Sequence, residues 1–160
     1  MGVESAEMGN PLKRLEDFLS DKAQGCEALS RAEAVKLHAR WVSTFLTDGK
    51  WPKGVNNQFD WHVFSFEKQG CLEGDVARNE YRRLAQGSMC VLSSSRHAGD
   101  FAVRFVTRQG LNFEKLAQDL IVVPNDFSWS ALFTHEAYHG PYFCRPAEKI
   151  GEEIGDRHVF

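Results

Sequence analysis

The chain has 160 residues, 42% hydrophobic and 26% charged, with Lys+Arg 19 against Asp+Glu 22 and a net charge of −3. That length suits one domain able to bury its own core, and the charge balance excludes a global field that would draw in nucleic acid or an acidic membrane. The opening MGVESAEMGN lacks a basic or apolar leader, Ala6 breaks the myristoylation pattern and no apolar run reaches membrane-spanning length.

Four scattered cysteines, Cys26, Cys71, Cys90 and Cys144, with no C-x-x-C pair, fit reduced thiols, and the cytoplasm is the expected compartment. Residues 1–9 are small, acidic and unpatterned, so a disordered start is expected. A single domain over 10–145 and a polar tail over 146–160 should follow. Asn10-Pro11 is a helix start, with an N-cap and a proline in the first turn, and Leu12, Leu15 and Leu19 form its apolar stripe up to Gly25. Ser30 and Glu33 spell a capping box for a second helix reaching about Asp48. Its inward stripe is Ala34, Val35, His38, Trp41, Val42, Phe45 and Leu46, with His38 at the core margin.

The stretch Phe59–Phe66 reads as a short strand or extended segment, and Gly74-Asp75 opens a third helix to about Gln86. Met89–Ser95 and Phe101–Thr107 are strands around a polar loop, and Asn112 caps a helix with Phe113, Leu116, Ala117 and Leu120 inward. Then comes the longest apolar run, Leu120 to Arg145. Ile121-Val122-Val123 is β-branched and Pro124-Asn125-Asp126 is turn chemistry. From Phe127 to Thr134 the residues alternate, Phe127, Trp129, Ala131 and Phe133 against Ser128, Ser130 and Thr134. That is the period of a strand with one buried face, so a hairpin is expected, with a third strand at Tyr142-Phe143-Cys144.

The same run contains His135-Glu136-Ala137-Tyr138-His139, an H-E-x-x-H string. On a helix, His135 and His139 would share a face, hold one zinc and leave Glu136 as general base. Third ligands would come from Glu148, Glu152, Glu153 or His158. The alternation favours strand plus loop, which lacks that geometry. Ala137 is small where such helices place a bulky apolar residue, and Gly140-Pro141 ends any helix at once.

No phosphate-binding glycine loop and no serine-hydrolase elbow is present. Ser93-Ser94-Ser95 beside His97 reads as a polar hairpin tip rather than a nucleophile and base, and Cys144 near His139 as sheet packing rather than a thiol–imidazole pair. Arg78, Arg82, Arg83 and Arg104 would serve a phosphate-binding surface, but a solvated face explains them equally well. Strands in neighbouring pairs predict the α+β class: an antiparallel sheet of about five strands, helices packed on one face, two of them N-terminal.

Trp61-His62-Val63-Phe64-Ser65, Cys71-Leu72-Glu73-Gly74, Thr134-His135-Glu136 and Gly140-Pro141-Tyr142-Phe143 resemble the motifs of a family of small bacterial proteins known only as a domain of unknown function. The resemblance spans roughly residues 35–145 and implies no activity, cofactor or catalytic residue. It does not require a second histidine at His139, and it makes His62, His135 and Glu136 the polar residues to test.

The leading expectation is a non-enzymatic domain that binds a protein partner or small ligand, needs no cofactor, touches no membrane and has little affinity for nucleic acid. Its candidate pocket is Trp61, His62, His135, Glu136 and Tyr142, with Trp129 a further aromatic for the groove or the core. The alternative is a zinc-dependent hydrolase using His135 and His139, and the third a nucleic-acid-binding or nuclease-like domain.

Overall fold

The computed structural model describes residues 10–46, 71–94, 100–136 and 140–147. The expected disordered start, the Phe59–Phe66 segment and residues 148–160 lie outside them. In chain order the elements are α1 (Pro11–Lys22), β1 (Gly25–Ala28), α2 (Arg31–Phe45), β2 (Leu72–Glu73), α3 (Asp75–Leu84), β3 (Gly87–Ser93), β4 (Ala102–Thr107), a 3-10 turn (Phe113–Leu116), β5 (Leu120–Pro124), β6 (Ser130–Phe133) and β7 (Tyr142–Cys144).

Local chemistry starts the helices where the sequence places them. The Asn10 side chain accepts from Lys13 N at 3.1 Å, with Pro11 in the first turn. At α2 the capping box is complete: Ser30 Oγ accepts from Glu33 N, and Glu33 Oε1 accepts from Ser30 N. α2 ends at Phe45 with Leu46 as C-cap, short of Asp48. Its buried residues are Ala34, Trp41 and Phe45, whereas Val35 is exposed and His38 half-buried beside the Trp41 ring.

The strands form one antiparallel sheet in the order β1-β4-β3-β5-β6-β7-β2. The class is α+β as expected, with seven strands among the described residues rather than about five. β1 escapes sequence reading because all four of its residues are exposed and carry no alternation.

The sheet is covered on both faces rather than on one. Met89, Val91, Val103, Phe105, Leu120, Val122, Ala131, Phe133 and Phe143 pack with Leu15 and Leu19 of α1 and with Ala77 and Tyr81 of α3. The intervening strand residues Cys90, Leu92, Ala102, Ile121, Val123, Leu132, Tyr142 and Cys144 pack with Ala34, Trp41 and Phe45 of α2. Alternate residues of a strand point to opposite faces, so the two clusters are the two sides of the sheet. Ser130, expected on a polar face, is therefore fully buried, and it accepts from Trp41 Nε1 at 2.9 Å.

The hairpin is present but shorter. β6 begins at Ser130, and Leu120 pairs with Phe133 and Val122 with Ala131. Phe127 belongs to the turn: its φ is +53° and its N–H reaches Pro124 O at 3.0 Å. The turn throws Phe127 into the α2 side, against Phe45 and under Arg40, while Trp129 enters the other. The helix expected after Asn112 is one 3-10 turn, because Ala117 takes a left-handed conformation at φ +50° and Leu120 already belongs to β5.

Candidate functional site

At one end of the sheet β3 and β6 finish where β5 begins. Ser94 N donates to Asp119 O at 3.0 Å, extending the β3–β5 ladder by a residue. Asp119 thus immediately precedes β5, and His135 comes two residues after the end of β6. Since Leu120 pairs with Phe133, the register carries His135 back to Asp119. Asp119 Oδ1 and Oδ2 lie 2.8 and 2.9 Å from His135 Nδ1, and Oδ1 also accepts from His135 N at 3.1 Å.

The Asp119 side chain is only 8% exposed, whereas the His135 side chain is 39% exposed. A carboxylate only accepts, so the short Nδ1 contacts place the hydrogen on Nδ1. Nε2 sits on the other side of the ring, 3.5 Å from Glu136 Oε1. A buried carboxylate gripping one nitrogen fixes the tautomer and the ring plane, which is how histidines are prepared for proton transfer, ligand contact or metal binding.

The turn that carries His135 is built by its neighbours. Thr134 Oγ1 donates to Glu136 O at 2.8 Å, and Glu136 N reaches back to Thr134 Oγ1 at 3.3 Å. Gly140 has φ +80°, and a Cβ there would meet the Tyr142 ring at 3.2 Å and Thr134 Cγ2 at 3.3 Å. The glycine thus lets the returning chain lie against Tyr142. Tyr142 is fully buried, and burial, then Glu73, Cys71 and Glu136, push its hydroxyl above the ordinary tyrosine range. Burial, then Glu73, push the Cys71 thiol up to about 12.

Ser94 and Gln118 flank Asp119, one across the ladder and one just before it in the chain. Ser94 Oγ and both side-chain polar atoms of Gln118 are buried with no hydrogen-bond partner among the described residues. Such groups cost roughly 1–3 kcal/mol each when unsatisfied.

Of the sequence candidates, Trp61, His62 and His139 lie outside the described residues. His135 and Glu136 occupy a bend after β6, and Tyr142 opens β7. Ser130–Phe133 is strand and His135-Glu136 a bend, so these two motif residues do not start a helix, while the rest of the H-E-x-x-H string lies outside the described residues. Among the described residues, no group of three or more His, Cys, Asp and Glu is placed to hold a metal ion, and no helix is long and apolar enough to cross a membrane. Trp129 is core, between Tyr81 and Phe143.

The arginines are scattered: Arg78 binds Glu114 and Asp75, Arg83 binds Glu80, and Arg104 stands 4.0 Å from Glu27. Asp119 and Glu73 belong to the site, yet sequence reading misses them. Asp119 is a single acidic residue just ahead of the apolar β5 and Glu73 closes the exposed two-residue β2, and only the register reveals their partners.

No curated protein and no solved structure matches the chain. Residues 42–143 match a protein family described as a domain of unknown function (DUF4275), and the chain belongs to that family.

Proposed function

We propose that the domain binds a small polar ligand at the end of the sheet, with His135 as the group that meets it. The grip of the buried Asp119 carboxylate on His135 Nδ1 carries this reading. It leaves a half-exposed ring held in one orientation, with the Glu136 carboxylate beside Nε2. The Ser94 and Gln118 side chains next to Asp119, without a partner among the described residues, add polar groups that a ligand or water would satisfy. The arginines give less support to nucleic-acid binding, since Arg78, Arg83 and Arg104 are each drawn to a carboxylate. We take the cytoplasm as the working compartment, on the scattered thiols, and cell fractionation would check it.

The test is a pair of nuclear magnetic resonance titrations of the full chain, one with a panel of small carboxylates, phosphates and amines, the other with zinc. Shifts centred on His135 and Glu136, lost in Asp119→Ala, are expected from at least one organic class. Shifts confined to other surfaces, or none across the panel, would reject the reading. Stoichiometric zinc that perturbs the same residues while the panel does not would move the site to metal binding.

A further inference from the structure

β2 is only two residues long, but its register fixes what lies opposite Cys71. Leu72 pairs with Phe143 and Glu73 with Tyr142, so one step further Cys71 stands opposite Cys144. The same ladder is marked at its other end by Gly74 N donating to Pro141 O at 3.0 Å, a hydrogen-bonded pair. Hydrogen-bonded and non-hydrogen-bonded pairs alternate along an antiparallel ladder. Cys71 and Cys144 lie an odd number of steps from that pair and so form a non-hydrogen-bonded one. In such pairs the Cα atoms are about 4.5 Å apart and the side chains lean together. That spacing falls inside the roughly 4.4–6.8 Å window a disulfide needs.

Both thiols are free in the structure, Cys144 buried and Cys71 partly exposed. Their electrostatics agree with a shared pocket: burial, then Cys71, push the Cys144 thiol up.

We propose that Cys71 and Cys144 are a dithiol pair that closes to a cross-strand disulfide, fastening β2 to β7. The oxidant is a small-molecule disulfide. Cys71, the more accessible thiol, loses its proton to water, and its thiolate attacks one sulfur of the oxidant and expels a thiolate, which is protonated. Cys144 then loses its proton, attacks Cys71 Sγ and expels the second small thiol. Two protein thiols are oxidised to one disulfide, and one small disulfide is reduced to two thiols. The first attack requires the thiolate, and Cys71 is pushed up to about 12, so closure is slow near neutral pH and accelerates as pH rises. The bond would fix the start of β2, which carries Glu73, beside Tyr142.

The test treats the full chain with oxidised glutathione at alkaline pH. The expected product is lighter by about 2 Da, for two hydrogens lost in thiol–disulfide exchange. Non-reduced peptide mapping should join Cys71 to Cys144. Closing so long a loop should raise Tm by ~10 °C, reversed by dithiothreitol. Cys71→Ser and Cys144→Ala should each lose both the mass change and the reversible Tm rise. A stable glutathione adduct on Cys71 without closure would overturn the proposal. So would a bridge through Cys26 or Cys90, or an unchanged mass after prolonged oxidation.

Discussion

Single side chains join the layers of this fold. Trp41 Nε1 donates to Ser130 Oγ in a fully buried contact that pins α2 to β6. Trp41→Phe keeps most of the ring volume but removes the donor, and should cost about 1–2 kcal/mol in denaturant unfolding. Trp129 is a packing residue, between Tyr81 at 6.0 Å and Phe143 at 5.7 Å. Trp129→Ala opens a cavity and should cost ~3–5 kcal/mol; a loss under ~1 kcal/mol would mean that the site collapses around the void. The burial of Trp129 was legible, because a large aromatic in an alternating run belongs inside. The Asp119–His135 pair was not, because its partners are 16 residues apart and meet only through the β5–β6 register. Phe127 misled for a similar reason: its positive φ breaks the alternation just where the pattern begins.

Helix α2 is the element whose start was most legible, and it makes the clearest acid-side prediction. The Glu33 carboxyl is held below its ordinary 4.5 by hydrogen bonds from the Ser30 backbone and side chain. Hydrogen bonds from Arg83 act in the same direction on Glu80, and those from Ser128 on Asp126. A depressed carboxyl stabilises the fold above its unfolded value, and the contribution fades as pH falls through the lower folded value. Thermal stability should therefore decline as pH drops below about 4.5, the ordinary carboxyl value of Glu33. Ser30→Ala should lose about 1 kcal/mol at neutral pH, and the acid-side decline should be shallower in that variant. An unchanged acid limb would assign the decline to other carboxyls. Capping is readable because its partners are three residues apart. β1 is not, since its partner strand among the described residues lies nearly eighty residues onward and its own residues are all exposed.

At the scale of the whole molecule, the sheet is protected at its centre and thin at its margins. β3 lies between β4 and β5, and β5 between β3 and β6, so the backbone groups of both are paired on two sides. Every residue from Met89 to Leu92 and from Leu120 to Val123 is buried. Among the described residues the margins are β1, exposed throughout, and β2, two residues long. Short edges carrying charge, such as Glu27 and Glu73, resist pairing with other chains. The apolar run in β5 reads from sequence as β-branched strand, and its continuity, rather than alternation, is the signature of burial on both faces. That signature separates a sheet flanked by α1 and α3 on one side and α2 on the other from one covered on a single face. Amide exchange should follow the same ranking. Amides that open only with global unfolding exchange slowest, while edges open locally. The slowest amides should be those of Met89–Leu92 and Ile121–Val123, and the fastest strand amides those of β1 and Leu72-Glu73. Exchange in β1 as slow as in β5 would show that the sheet opens as one unit, and would remove the distinction between centre and margin.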